Sequence, residues 1–197
     1  GDLALPMLAA FVIGVTTPVI AYFGARRFIH LDVANAASMA AHYGSVSAVT
    51  FTAAESFAQA AGTITEGYMA ALVALLEVPG IVVAMVIASL VLGALPLKKA
   101  VHEVITGKSV MLLIGGIAIG LVASTESMAK VEPFFIGLFP GMLCLFLVDL
   151  GTLAGQRLSA IRSAGWRFVV FAVGAPLVFG SFGVVAGTLA GLSIGGA

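Results

Sequence analysis

VANAASMAAHYGSVSAVTFTAAESFAQAAG, residues 33–62, is the stretch on which the fold turns. It is built from Ala, Ser, Thr and Gly, whereas the apolar runs around it are rich in Leu, Ile, Val and Phe. In lipid, small residues favour close helix packing, so this segment belongs inside a bundle. Its middle, Gly44-Ser45-Val46-Ser47-Ala48-Val49-Thr50, sets one glycine beside three hydroxyls and β-branched residues. Such a run is poor helix material. It suits a break, with one half-helix ending near Tyr43 and another starting near Thr50. N–H groups at the head of the second half-helix would then favour an anion at membrane depth. Carbonyls at the end of the first, near Tyr43, Ser45 and Ser47, suit a hard cation such as Na+. Gly44, Ser45, Ser47, Ala48 and Thr50 are the candidate site residues. A continuous helix, packed through small residues with its hydroxyls bonded back to its own carbonyls, fits the same composition.

The rest of the chain makes the membrane reading firm. Of 197 residues, 61% are hydrophobic and 9% charged, and mean hydropathy is +1.18. A soluble domain carries about 25% charged residues. Net charge is zero, which offers nucleic acid no basic footprint. The single Cys144 excludes a disulfide framework. Apolar runs give six spans: about 3–24, with a kink at Pro18; 33–62; 67–95, interrupted at Pro79–Gly80; 109–123; 133–156; and 166–192. Arg26, Arg27 and Asp32 read as a short loop after the first span, and Glu126, Lys130 and Glu132 as a loop before the fifth. The loop around 96–108 includes a short interfacial helix at 100–105.

If every span crosses once, Arg26, Arg27, Lys98, Lys99, Lys108, Arg157, Arg162 and Arg167 share one side and Lys130 stands alone on the other. That asymmetry marks the Arg26, Lys98 and Arg157 loops as cytoplasmic and puts Gly1 and Ala197 outside. The expected location is a multi-pass protein of the plasma (inner) membrane. The chain starts at Gly1 without a Met, and it reads as a fragment.

An internal repeat is visible. Phe11-Val-Ile-Gly14 aligns with Phe171-Ala-Val-Gly174, and Leu31-Asp-Val-Ala-Asn-Ala36 with Leu192-Ser-Ile-Gly-Gly-Ala197 after a one-residue gap. The two copies cross in opposite directions, as in inverted-repeat transporters.

Ala40-Ala-His-Tyr-Gly-Ser-Val-Ser-Ala-Val-Thr-Phe51 resembles the first discontinuous-helix motif of the sodium-dependent bicarbonate transporter family (SbtA-like permeases). Glu77-Val-Pro79 resembles its acidic-x-Pro element, and Thr106-Gly-Lys-Ser109 the start of its second half. The resemblance runs over the whole chain. It implies an all-α membrane protein of five plus five inverted spans, of which this chain matches the third to eighth. Residues 1–95 would end the first repeat, 96–108 link the two, and 109–197 open the second and stop before its broken helix. It implies Na+-coupled symport of bicarbonate or a similar small anion, crossed broken helices as the site, a homotrimer, and in many members a PII-like cytoplasmic regulator. No organic cofactor is expected.

Several residues have two readings. Glu77, mid-span, either tunes the ion site or bonds backbone groups freed by Pro79. His42 precedes the break, as a pH-responsive group or a packed hydrogen-bonding one. Asp149 has Arg157 as a candidate ion-pair partner. The Gly183/Gly187/Gly191 and Gly116/Gly120 patterns read as close-packing faces. No HExxH or GxSxG motif occurs, so an enzyme is not expected. The competing reading is a membrane binding or regulatory module, derived from a permease, that does not transport.

Overall fold

Helices account for the whole of the regular structure in a computed structural model that describes residues 3–92, 98, 101–102 and 106–197. α1 spans Ala4–Gly24, α2 Val33–Gly44, α3 Ala48–Ala60 and α4 Met69–Leu92. α5 spans Lys108–Val122, α6 Thr125–Glu132, α7 Phe139–Gln156, α8 Leu158–Ala164 and α9 Trp166–Leu189. Four stretches are long and apolar enough to cross a bilayer: Ala4–Ile29, Met69–Leu90, Thr125–Gln156 and Trp166–Leu189. Val110–Val122 is a shorter apolar helix. α2 and α3, at 12 and 13 residues, are each about 20 Å long at ~1.5 Å per residue. Neither alone covers a hydrocarbon layer of about 30 Å.

α1, α2 and α4 pack on one another, α9 lies against α1, and α5 against α4. The centre is lined by small residues. Ala25, Ala36, Ala37, Ala40 and Ala84 are buried with Tyr22, flanked by Ile29, Leu31 and Met39. Pro18 is fully buried within α1. Most hydroxyls inside the spans bond back to carbonyls one turn earlier, among them Thr16 to Val12 (2.7 Å), Ser56 to Thr52 (2.8 Å) and Thr188 to Val184 (2.7 Å). In lipid this satisfies a group that would otherwise lack a partner. No residue of α6 or α7 is buried, so that span offers its whole apolar circumference to lipid or to further protein.

Several expectations need correction. Arg26 and Arg27 are not in a loop. α1 continues as a π-helical turn, Ala25–Ile29, that carries both and ends at His30 in the left-handed region (φ 66°). Residues 125–132 are helix, not loop. Ser124 caps α6 by accepting from the Ser127 N–H (3.2 Å), and Glu126 pairs with Lys130 one turn on (3.1 Å). That pair is the ion pair among the described residues; Asp149 and Arg157 are not within reach of each other. A Cβ at Gly116, Gly120, Gly183 or Gly191 would meet nothing within 4 Å, and of the expected close-packing faces only Gly187 has a near neighbour, Ala197. Most of the 96–108 linker, including the expected helix at 100–105, lies outside the described residues apart from Lys98, Val101, His102 and 106–108.

Candidate functional site

The break lies at Ser45–Ser47. α2 ends at Gly44, one residue past the expected end, and α3 begins at Ala48, two residues before the expected start. Ser45 (φ −89°, ψ 141°) and Ser47 (φ −83°, ψ 112°) are extended. The Ser45 N–H still donates to the Ala41 carbonyl (3.1 Å), which closes α2. Ser47 opens α3 as its N-cap. Its hydroxyl oxygen accepts from the Thr50 N–H (3.2 Å) and its carbonyl accepts from the Phe51 N–H (2.9 Å). Capping of this kind satisfies one donor of the first helical turn. The N–H groups of Ala48 and Val49 head the helix in front of it. A Ser47 hydroxyl bonded back along a continuous helix is therefore not what forms.

A backbone crossing holds the break in place. Gly44 is buried against Gly80 of α4, beside Pro79. A Cβ on Gly44 would stand 2.9 Å from the Gly80 Cα, and one on Gly80 would stand 2.7 Å from the Gly44 Cα and closer still to its carbonyl. Both positions need glycine for proximity, at an α4 turn where Pro79 already removes an intrahelical bond. In the sequence Pro79–Gly80 stands out as an interruption of the span and Pro79 as part of the acidic-x-Pro element, not as a crossing point. Its signal was there, a Pro-Gly step in an apolar span opposite a glycine at a break. Glu77 sits two residues before Pro79 in α4, and its side chain lies outside the described residues.

Two spaces flank the break. The larger, about 560 Å³, lies between α1, the head of α3, α4 and α9. Val46, Ser47, Thr50 and Phe51 face it, opposite Ala10, Leu72, Leu76 and Gly183. Its walls are mainly apolar, so the polar groups facing it come from the start of α3. The second, about 440 Å³, runs along α2 and is lined by Leu31, Asn35, Ser38, Met39, His42, Tyr43 and Phe168. The predicted site residues are thus divided. Ser47 and Thr50 share the larger cavity, while His42 and Tyr43 face the groove. Tyr43 meets Phe171 and Phe179 of α9 edge-on (centroids 5.7 and 5.5 Å). His42 Nδ1 lies 2.8 Å from the Ser38 carbonyl. Among the described residues no three His, Cys, Asp or Glu side chains converge as a metal cluster.

The two ends of the bundle differ in charge. At one, Arg26 Nη1 donates to the Leu31 carbonyl (2.6 Å) and Arg167 Nη1 lies 3.1 Å from His30 Nδ1. At the other, Glu66 Oε1 accepts from the Ser193 N–H (2.6 Å), and the Ser193 hydroxyl donates to the Ile64 carbonyl (2.5 Å). Glu66 Oε2 is shielded from solvent against Gly196 and has no hydrogen-bond partner. Burial works against ionisation of Glu66, but its hydrogen bonds, chiefly from the Ser193 N–H, outweigh it and hold the carboxyl below its ordinary range. No local pattern marks this contact, since its partners lie 127 residues apart.

The chain ends of α1 and α9 repeat one local design. After α1, His30 is left-handed (φ 66°), and Asp32 then caps α2 by accepting from the Asn35 N–H (3.0 Å). After α9, Gly191 is left-handed (φ 81°), and the Ser193 hydroxyl accepts from the Gly196 N–H (3.2 Å). Ala36 N–H to Asp32 carbonyl (2.9 Å) is matched by Ala197 N–H to Ser193 carbonyl (2.9 Å).

A comparison with curated proteins gave no match. Residues 1–197 match the family model of the Na+-dependent bicarbonate transporter superfamily, and the chain belongs to that superfamily.

Proposed function

Starting from that membership, we propose that the chain carries one broken helix of a Na+-coupled bicarbonate symporter, with the anion held at the head of α3. The observation that carries this reading is the Ser45–Ser47 break, capped by Ser47, locked by the Gly44–Gly80 crossing and opening on a 560 Å³ cavity. Ser47 and Thr50 hydroxyls and the leading N–H groups of α3 supply donors and partial positive charge for a small oxyanion. Gly44, Ser45 and Ala48 shape the break. Carbonyls at the end of α2 receive Na+ beside it, so each ion lowers the cost of bringing in the other. No covalent step is required.

The matched helix ends at residues 30–36 and 191–197 support an inverted repeat, with Ser193 opening a second half-helix as Asp32 opens the first. The Arg26–Leu31 and Arg167–His30 bonds bring Arg26 and Arg167 to one end, and Glu66–Ser193 lies at the other, which agrees with a cytoplasmic arginine side. A homotrimer and a PII-like regulator belong to the same reading.

The test is Na+-dependent uptake of labelled bicarbonate into proteoliposomes holding the full-length transporter, wild type and Thr50→Val. The substitution keeps shape and the main-chain cap and removes one hydroxyl. Uptake that needs a Na+ gradient and falls about tenfold or more in Thr50→Val supports the site, because an unpaired charged ligand costs more than ~1.4 kcal/mol. Wild-type uptake by a folded Thr50→Val variant refutes it.

A further inference from the structure

The groove along α2 is not part of the cavity at the head of α3. Asn35, Ser38 and His42 follow a three- and four-residue spacing, so they share one face of α2. All three are exposed. A polar, exposed stripe on a half-helix otherwise packed through alanine is costly beside lipid and is expected where water reaches. From Asn35 to Tyr43 the stripe is about 12 Å long at ~1.5 Å per residue. It begins at the charged end of the bundle and stops one residue short of Gly44.

Its mouth is electropositive. Arg26 bonds the carbonyl of Leu31, which lines the groove, and Arg167 adjoins Phe168, which also lines it. Arg27 shares the π-helical turn with Arg26. The one nearby carboxylate, Asp32, is turned onto Asn35, which bonds it through both main chain and side chain. The guanidinium groups of Arg26 and Arg167 are therefore held near the mouth, against the one negative charge of Asp32. Across the groove stands Phe168 of α9, and the lining residues include no acidic group.

We propose that this groove is an anion vestibule, a weak transit site for a small hydrated oxyanion between the arginine-bearing surface and the broken-helix site. The arginines concentrate the anion at the mouth. Asn35, Ser38 and His42 replace part of its water along α2, and Tyr43 closes the deep end. This rests on the transport reading given above, but it is a separate place in the protein with its own residues.

Charge-selective labelling of a single cysteine tests it. The full-length transporter carries Cys144→Ser and serine in place of any other native cysteine, with Ser38→Cys or Asn35→Cys added, in sealed vesicles exposing the arginine side. Anionic and cationic membrane-impermeant methanethiosulfonates are compared, each rate divided by its rate with a small thiol in solution. The expected result is labelling of both cysteines with the anionic reagent favoured about tenfold, the lower range of electrostatic focusing in charged clefts. That preference should shrink when Arg26→Gln and Arg167→Gln are added, and bicarbonate should slow the reaction. No labelling at either position, or preference for the cationic reagent, overturns the vestibule even where the Cys144→Ser parent transports normally. Anion-selective labelling in a protein without Na+-dependent bicarbonate uptake keeps the vestibule and overturns the transport reading instead.

Discussion

Alanine at Gly80 is the most demanding single change. Its Cβ would stand 2.7 Å from the Gly44 Cα and closer to the Gly44 carbonyl. Carbon atoms in ordinary contact sit about 3.5–4.0 Å apart, so the two backbones must separate by about 1 Å. The obstacle is main chain and cannot rotate away. Overpacking of this kind costs about 1–3 kcal/mol. Against it, alanine in place of a helical glycine returns roughly 0.5–1 kcal/mol. The net expectation is about 1–2 kcal/mol of destabilisation, or ~2–8 °C in Tm for a chain of this size. The separation also re-aims Ser45–Ser47, so transport should fall by more than stability alone explains. The assay is thermal unfolding in detergent beside uptake in proteoliposomes. Gly174→Ala is the control, because a Cβ there would meet nothing within 4 Å, and it should lose neither. Equal Tm and uptake for Gly80→Ala and Gly174→Ala would refute the crossing as the feature that fixes the break.

Other outcomes follow from single contacts. Glu66→Gln weakens the bond from the Ser193 N–H. The wild-type carboxyl is held below its ordinary value of 4.5, so its contribution to stability is present above that pH and is lost as pH falls through its lower folded value. Thermal unfolding below about pH 4.5 should therefore destabilise wild type more than Glu66→Gln. Asp32→Ala removes the cap of α2 and should lower Tm in the same assay. Lys130→Ala should leave Tm unchanged within error, since its exposed pair with Glu126 is worth at most ~0.5 kcal/mol.

The break was legible because its signal is local. Glycine, hydroxyl and β-branched residues together disfavour helix wherever the chain runs, and the observed ends fell within two residues of those read from sequence. The membrane class followed from composition, and its all-helical form from the lengths of the apolar runs and the family resemblance. What was missed depends on distant partners or on backbone detail. Ser124-Thr-Glu-Ser-Met-Ala-Lys reads as a loop because its charges call for water, yet a capped helix with a Glu–Lys pair meets the same demand. The π-helical turn at Arg26 has no composition of its own. Gly116, Gly120 and Gly183 have the spacing of a packing face but no neighbour, whereas Gly80 has a backbone against it, and a lone glycine does not announce which helix it will cross. The division of the site residues between cavity and groove was equally hidden, since it depends on where α9 lies against Tyr43.

The buried alanines of α1, α2 and α4 have a mechanical consequence. Large side chains lock helices by seating ridges in grooves, and sliding one past the next means lifting every ridge. Ala25, Ala36, Ala37, Ala40 and Ala84 leave only shallow relief between these helices. Such a seam behaves as a plain bearing: it keeps the helices in close contact while offering little resistance to shear along their length. Resistance is concentrated where Gly44 meets Gly80, so the seam slides only as far as that one crossing gives.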